Sequence, residues 1–312
     1  MAHAGTPALV DAPFRGIALM VIAVGLWALH DAASKWLAVT YPILVLLFWR
    51  SQFALAPLAV FLYRAGGIQR LTPRLKALCL LRGAIGFTSF ACFIFALPLM
   101  PFADAVAVGM SAPIFITAMS VAVLKERVDA RRWLAVLAGF GAVLVIVRPS
   151  GSIPAEGAIL LLASNVLYAT GMMMTRSLGR VVGTATLSFY AAGAFSAISA
   201  ALVPFVWVTP AWDDLALLVA TGVMAGIAQY CMTDAFRRAA PSIIAPFEYT
   251  GIVWAVGLGY AIWGDLPGWD VAGGIVVIVL SGLYIVQSEN RRARPPGRGA
   301  PPSTASDDAA RR

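Results

Sequence analysis

Charged residues are scarce in this sequence. Only 12% of the 312 residues are Asp, Glu, Lys or Arg, and 60% are hydrophobic, whereas a soluble domain has about 25% charged residues. The mean hydropathy is +0.83. This composition excludes an ordinary soluble globular domain and indicates an integral membrane protein.

Cysteine and histidine are also rare, with three and two residues. Cys79, Cys92 and Cys231 fall inside apolar segments without C-x-x-C spacing, so we interpret them as small core residues. His30 has no second His or Cys with which to share a metal, and His3 lies at the chain start. We therefore expect no bound metal and no cofactor.

Several enzyme and pump signatures are missing as well. The chain contains no G-x-S-x-G elbow and no Gly-rich phosphate loop, which argues against a serine hydrolase and an ATP-driven pump. An aspartyl dyad would need two paired carboxylates, and Asp31 with Asp234 is the only candidate pair. We expect no enzymatic activity. An intramembrane enzyme and a non-transporting membrane binding protein are the alternatives to a transporter.

The charges that are present lie in short clusters between long apolar runs. The net charge of +8 comes from 23 Lys and Arg against 15 Asp and Glu. Basic clusters beside apolar runs are typical of membrane-flanking loops. The sequence lacks the basic stripe interleaved with aromatic residues that would indicate binding of single-stranded nucleic acid. We expect the partners to be a small-molecule metabolite and membrane lipid, and no nucleic acid.

Ten apolar runs have the length of a membrane-spanning helix, which needs roughly 20 residues. Their continuous apolar character predicts helices rather than the alternating strands of a barrel. The sequence therefore predicts an all-α integral membrane protein with ten transmembrane helices. The predicted spans are 16–38, 43–63, 75–97, 102–123, 132–148, 155–176, 184–206, 214–236, 242–263 and 269–287.

The distribution of Lys and Arg predicts the orientation, because cytoplasmic loops are enriched in these residues. The opposite side holds only Lys35 and Arg148. Both termini are therefore expected in the cytoplasm, with residues 1–15 as a short N-terminus and residues 291–312 as a disordered tail. The expected location is a bacterial-type plasma membrane. The side predicted to be cytoplasmic has seventeen Lys and Arg residues: Arg15, Arg64, Arg70, Arg74, Lys76, Lys125, Arg127, Arg131, Arg132, Arg176, Arg180, Arg237, Arg238, Arg291, Arg292, Arg294 and Arg298.

The two parts of the chain resemble each other weakly at offsets of 139 to 141 residues. We interpret residues 16–148 and 154–287 as two repeats of five helices each. Because five is odd, the second repeat enters the membrane from the opposite side, and such inverted repeats are typical of transporters that work by alternating access. The matched pairs include Trp27 with Tyr168, Trp49 with Tyr190, Gly83 with Gly222, and Cys92 with Cys231.

The sequence also resembles a known family. Ala112-Pro113-Ile114 followed by Leu124-Lys125-Glu126-Arg127, and Ala245-Pro246-Phe247-Glu248-Tyr249 followed by Gly264-Asp265, are similar to motifs of the EamA family in the drug/metabolite transporter superfamily. Residues His30 to Lys35 and Leu81-Arg82-Gly83 are similar to S-adenosylmethionine uptake carriers and to riboflavin importers. The resemblance implies a metabolite transporter and does not decide between S-adenosylmethionine and riboflavin as its substrate. Asp265 stands where the family often has Glu.

Charged residues inside the first span form one stripe. Trp27, His30, Asp31, Ser34 and Lys35 are spaced three and four residues apart, so we expect them to share a helix face toward the protein interior. Asp31 and Lys35 either form an i,i+4 ion pair or face a substrate. His30 either makes an ordinary hydrogen bond or takes part in proton coupling.

Three further charged residues deep within predicted spans are candidates for the site, because an ionisable group there costs at least about 2.5 kcal/mol. Arg50 is expected to bind an anionic group or to pair with an acid, and Arg82 either lines the cavity or reaches the interface. Glu248 follows the helix-breaking Pro246 and is the best candidate for binding a substrate amine or a proton. Its alternative role is to neutralise Arg50 or Arg82.

Aromatic residues add flat apolar surfaces to these charges. A cavity with both signs of charge and aromatic walls suits a small polar, zwitterionic or aromatic metabolite, so the sequence predicts a secondary transporter. A monomer and a homodimer are both compatible with it. The candidate substrate-binding residues are Trp27, His30, Asp31, Lys35, Trp49, Arg50, Arg82, Tyr168, Tyr190, Tyr230, Glu248, Tyr249 and Trp254.

Overall fold

A computed structural model of the chain describes residues 12–96, 99, 108–147, 154–263 and 269–293, and all regular structure in these ranges is helical. The all-α class is therefore confirmed for the described residues. The helices are α1 Pro13–Leu37, α2 Ile43–Arg64, α3 Pro73–Ala96, α4 Ala112–Leu124, α5 Ala130–Val147, α6 Ala155–Leu178, α7 Thr184–Leu202, α8 Trp212–Arg238, α9 Pro241–Ile244, α10 Thr250–Trp263 and α11 Trp269–Ala293. Short 3₁₀ segments occupy Val203–Val206 and Ala245–Tyr249.

Seven helical stretches in the described residues are long and apolar enough to cross a membrane. Two others, Ala112–Leu124 and Gly273–Ile285, are apolar but shorter. The start of the predicted span 102–123 and the Gly264-Asp265 step lie outside the described residues, as do residues 1–11. Helix α11 continues to Ala293, so residues 291–293 of the predicted disordered tail are helical, and the remainder of that tail lies outside the described residues.

The ends of the helices gather into two groups. At what we call the basic end, Ala12 N donates to Arg238 O at 3.2 Å, and Gln69 Nε2 donates to Val181 O at 3.0 Å. At the opposite end, the Tyr41 hydroxyl, in the turn between α1 and α2, donates to Asp214 at 2.6 Å. This hydrogen bond to Asp214 raises the pKa of the Tyr41 hydroxyl.

The helices before residue 150 pack mainly on helices after it. Helix α1 packs on α8 and α10, α2 on α7 and α8, α3 on α6 and α7, α4 on α6, and α5 on α11. Most of the helix packing therefore joins the two parts of the chain.

The largest apolar core lies in the half of the bundle nearest the basic end. It contains the early residues of α1, such as Met20, together with the late residues of α6 and α8, such as Met173 and Cys231. Helix α9 joins it through Ile243 and Ile244. This core fills the bundle on the side of the basic end.

Several glycines allow close helix contacts, among them Gly83 and Gly222. A Cβ on Gly83 of α3 would lie 2.8 Å from Ala194 Cβ of α7 and closer still to the Ala191 carbonyl oxygen. A Cβ on Gly222 of α8 would lie 2.9 Å from the Arg50 carbonyl oxygen of α2. Both contacts involve backbone, which cannot rotate away, so only glycine fits at these two crossings.

We expect Gly83→Ala to destabilise the protein by about 1–3 kcal/mol, because the added methyl group forces α3 away from α7. Gly86→Ala on the same helix is the matched control, since a Cβ at that position would meet no neighbouring atom within 4 Å. The change in stability of each variant is measured as its thermal unfolding midpoint, with the purified protein in detergent. Equal midpoints for the two variants would contradict the close crossing.

Candidate functional site

Arg50 lies inside α2 and is surrounded by aromatic rings. Its guanidinium carbon lies 4.6 Å from the centre of the Trp27 ring and 5.6 Å from those of Phe90 and Phe195. These rings come from α1, α3 and α7. In the described part of the chain no side chain forms an ion pair or hydrogen bond with the Arg50 guanidinium. Cation–π contacts therefore hold a positive charge whose N–H donors are unused.

A second donor beside Arg50 is also without an acceptor. The indole Nε1 of Trp27 is buried, and no described residue accepts a hydrogen bond from it. Indole nitrogen is a donor only. Trp27 and Arg50 together offer N–H groups that suit an acceptor-rich group such as a carboxylate or a phosphate.

The polar stripe on α1 is divided in the structure. His30 is buried, its Nδ1 donates to Asp31 Oδ1 at 2.9 Å, and its Nε2 lies 3.4 Å from Ser34 Oγ. The side chain of Asp31 is 75% exposed and that of His30 only 6%, because adjacent helix residues point about 100° apart. That Asp31 faces the interior stays a prediction. The Lys35 side chain lies outside the described residues.

Asp31 nevertheless belongs to the surroundings of Arg50. Its carboxylate acts electrostatically on the Arg50 guanidinium without forming an ion pair with it. The Asp31 carboxylate accepts a hydrogen bond from His30, and its predicted ion pair with Lys35 stays a prediction. Asp31 thus places a solvent-facing negative charge beside the aromatic-enclosed positive one.

Glu248 lies where the helix after α8 changes its winding. The segment Ala245–Tyr249 is a 3₁₀ turn between α9 and α10, with Pro246 in its first turn. Proline lacks the N–H that would continue the α-helical ladder, so the change occurs there. This break places the Glu248 carboxylate in the interior, where the Tyr168 hydroxyl donates to Glu248 Oε1 at 3.1 Å.

No cation neutralises Glu248 within the described residues. The interpretation in which it pairs with Arg50 or Arg82 was wrong, because neither guanidinium forms an ion pair with it. The Tyr168 hydroxyl also lies 3.7 Å from Met232 Sδ of the apolar core. Glu248 therefore sits at the boundary of that core with a single neutral hydrogen-bond donor.

Arg82 has a different environment from Arg50. It is buried, and its Nε donates to Thr175 Oγ1 at 3.0 Å. With the Gln229 amide in the orientation that satisfies its neighbours, the amide oxygen accepts from Arg82 Nη1 and Nη2 at 3.2 and 3.1 Å. Arg82 thus ties α3 to α6 and α8, and its donors are largely used within the protein.

Two of the predicted aromatic residues lie in packing clusters away from these charges. Trp49 stacks on Phe53 at 5.5 Å and contacts Trp207 at 6.1 Å, close to the opposite end. Tyr190 packs beside Leu187 in a small apolar cluster at the basic end. Their rings are neighbours of apolar side chains.

The other three predicted aromatic residues also serve packing. Tyr230 stacks on Phe61 at 4.3 Å between α8 and α2. Tyr249 is fully buried against Gly139 of α5. Trp254 is 43% exposed and packs its edge against α1. The hydroxyl of Tyr249 is buried and has no hydrogen-bond partner among the described residues.

Sequence reasoning missed Phe90 and Phe195, which complete the rings around Arg50, and Gln229 and Thr175, which bind Arg82. The chain has 16 Phe residues, most of them in apolar segments, so nothing in the sequence distinguishes these two. The structure thus joins Trp27, His30, Asp31 and Arg50 in one group of neighbours and pairs Tyr168 with Glu248 in another. We define these six residues as the central site.

The comparisons with known proteins agree with this architecture. A model described as the EamA-like transporter family matches residues 14–148 and again residues 155–287. A crystal structure of a protein with 20% identity matches with a TM-score of 0.78, covering 91% of this chain and all of the other, and shows the same fold.

Three curated relatives cover nearly the whole chain. The pseudopaline exporter CntI of Pseudomonas aeruginosa is 28% identical over 87% of this chain and 96% of its own length. The riboflavin transporter of Rhizobium johnstonii is 27% identical over 90% of this chain and 94% of its own length. The S-adenosylmethionine uptake transporter of Rickettsia prowazekii is 22% identical over 89% of this chain and 94% of its own length. With the seven candidate spans, these relatives show a multi-pass bacterial membrane protein.

The contrast between the two arginines gives a stability prediction. We expect Arg82→Gln to lower the thermal unfolding midpoint in detergent, because Thr175 and Gln229 lose a charged donor, worth about 1.5–3 kcal/mol. Arg50→Gln is the matched comparison and should change the midpoint much less, since it removes only ring contacts along with the burial of an unpaired charge. A larger loss for Arg50→Gln than for Arg82→Gln would contradict these assignments.

Proposed function

The chain belongs to the EamA-like transporter family, and on that premise we propose that it is a secondary transporter. It moves a small polar or zwitterionic metabolite across the bacterial plasma membrane by alternating access. The observation that carries the proposal is the pair of ionisable residues at bilayer depth, Arg50 and Glu248, neither of which forms an ion pair with a described residue. A charge there costs at least about 2.5 kcal/mol, which a substrate of complementary charge offsets.

We propose that the transporter consists of two inverted repeats, 16–148 and 154–287, with ten spans. The packing supports this, because α1 on α8 corresponds to α6 on α3, and α2 on α8 corresponds to α7 on α3. Gly83 and Gly222, which the repeat matches to each other, occupy equivalent close crossings. The excess of Lys and Arg makes the basic end and both termini cytoplasmic.

The substrate is proposed to bind between the repeats with its anionic group toward Arg50 and the Trp27 indole. Phe90 and Phe195 flank this position and exclude water. A cationic or hydrogen-bond-donating group then faces Glu248, whose Oε1 already accepts from Tyr168. Asp31, which is exposed, lies on the approach to Arg50. His30 positions Asp31 through their hydrogen bond.

The remaining predicted site residues have smaller parts in this proposal. Arg82 fixes the helices around the site. Trp49, Tyr190, Tyr230, Tyr249 and Trp254 pack the scaffold, and Lys35 stays a prediction. The named substrates of the relatives, S-adenosylmethionine, riboflavin and pseudopaline, define the first candidates. The relatives include an exporter and an uptake transporter, so direction follows from the gradients rather than from the family.

The proposal excludes an enzymatic role and is compatible with a monomer or a homodimer in the lipid bilayer. An intramembrane aspartyl enzyme would need two carboxylates paired with each other. Instead, Asp31 accepts a hydrogen bond from His30, and Asp234 accepts hydrogen bonds from Thr184 and Arg238. A non-transporting binding protein is separated from a transporter by the transport assay itself.

Counterflow in proteoliposomes tests the function. Vesicles loaded with unlabelled S-adenosylmethionine, riboflavin or an aromatic amino acid are expected to accumulate the same labelled compound for one of the three. Binding of a compound without its accumulation would favour the binding-protein alternative. If neither binding nor counterflow occurs with the folded protein, the proposed substrate class is wrong.

Glu248→Gln and Arg50→Gln test the site with the compound that accumulates. Each is expected to reduce counterflow at least about tenfold, because a charged hydrogen bond is worth about 1.5–3 kcal/mol. Glu156→Gln and Arg64→Gln are matched controls, since both side chains are exposed at helix ends, and both should leave counterflow unchanged. Wild-type rates for the Glu248 and Arg50 variants would remove these residues from the mechanism.

A further inference from the structure

The segment Leu124-Lys125-Glu126-Arg127 has no part in the central site, yet its geometry is specific. Helix α4 ends at Leu124, and Lys125 adopts a left-handed conformation with φ of 55°. The chain then turns back, and Glu126 N donates to Ser120 O at 3.1 Å. A left-handed non-glycine residue is uncommon, so the turn holds the next residue in a defined position.

That turn brings Glu126 to a serine from the other part of the chain. Ser242 Oγ donates to Glu126 Oε2 at 2.9 Å, and Arg132 Nη1 donates to Ser242 Oγ at 3.0 Å. Ser242 is completely buried, and Arg132 is 8% exposed. Glu126 and Arg132 belong to the first family match, and Ser242 belongs to the second. We call these three residues the basic-end latch.

The latch is directly connected to the central site along the chain. Ser242 lies in α9, and α9 continues without a loop into the 3₁₀ segment that carries Glu248. Residues 241–247 are all buried. A displacement of the Glu248 segment therefore displaces Ser242, since the short buried stretch between them has no loop to absorb the movement.

The surroundings of the latch are those of a closed end. The apolar core fills the interior between the central site and the basic end, whereas Asp31, toward the opposite end, is 75% exposed. Opening the basic end requires α9 and the α4–α5 loop to separate. The hydrogen bonds of Ser242 to Glu126 and Arg132 span that separation.

We propose that Glu126, Ser242 and Arg132 hold the basic end closed in this conformation and release when the Glu248 segment moves. Ser242 is a positioning residue, because it acts on the site through α9 and touches no substrate. The inference rests on the proposed alternating access. It concerns which conformation is populated, so its test requires no knowledge of the substrate.

Native Cys231 is a suitable reporter of opening. It is 9% exposed and belongs to the apolar core near the basic end. In a background with Cys79→Ser and Cys92→Ser it is the sole cysteine. Its alkylation by a membrane-impermeant maleimide, added to right-side-out or to inside-out vesicles, reports access from each side separately.

Ser242→Ala in this background is expected to raise the alkylation rate of Cys231 about tenfold from the basic side, equivalent to about 1.4 kcal/mol, with no change from the opposite side. Glu126→Ala should act in the same direction, and it carries the test if Ser242→Ala does not fold, because Glu126 is only half-buried. An unchanged rate in the folded variants would overturn the latch.

Thr184→Ala is the matched control. Thr184 is also buried at the basic end, where it donates to Asp234 at 2.7 Å and accepts from Arg237 at 3.2 Å, but all three residues belong to the second family match. Alkylation of Cys231 should remain at its background rate in this variant. An equal rise in Thr184→Ala, or a rise from both sides in Ser242→Ala, indicates general loosening and overturns the latch.

The outcome is separable from that of the proposed function. One-sided alkylation in the latch variants supports the latch even if none of the three compounds shows counterflow. Counterflow by the wild type, combined with unchanged alkylation in Ser242→Ala and Glu126→Ala, overturns the latch and leaves the transporter intact.

Discussion

The structure depends on the cost of keeping a charge away from water inside the bilayer. Arg82 meets this cost with protein acceptors, Thr175 and Gln229, and so binds three helices together. Arg50 is surrounded by rings instead, and Glu248 receives one hydrogen bond from Tyr168. The same physical constraint thus separates Arg82, whose charge joins helices, from Arg50 and Glu248, which we propose to be available to a ligand.

Much of the fold could be predicted from the sequence, because apolar length and flanking charge determine where a helix crosses a membrane. The helical class and most helix limits follow from these patterns. The limits were less accurate at α11, which continues past the apolar run through Gln287, Glu289 and Arg291. Polar residues can extend a helix beyond its apolar run, and a limit predicted from hydropathy leaves out those additional turns.

The central site was only partly predictable. The charges on α1, α2 and the segment after α9 stand out in sequence because they interrupt apolar runs. Sequence could not distinguish Arg50 from Arg82, since the difference lies in which side chains from other helices approach each guanidinium. Sequence could not rank the aromatic candidates for the same reason: Tyr249 fills the space beside Gly139, and Trp49 stacks on Phe53, through contacts that arise only when helices pack.

Trp27 and Tyr168, which the proposed repeat matches to each other, both pack on the apolar core but contact charges of opposite sign. In the proposed inverted repeat, equivalent positions therefore carry different chemistry, with a cation beside Trp27 and a carboxyl group beside Tyr168. Under the proposed transport function, a zwitterionic substrate keeps one orientation relative to the chain throughout its passage, because a reversed substrate would place like charges next to each other.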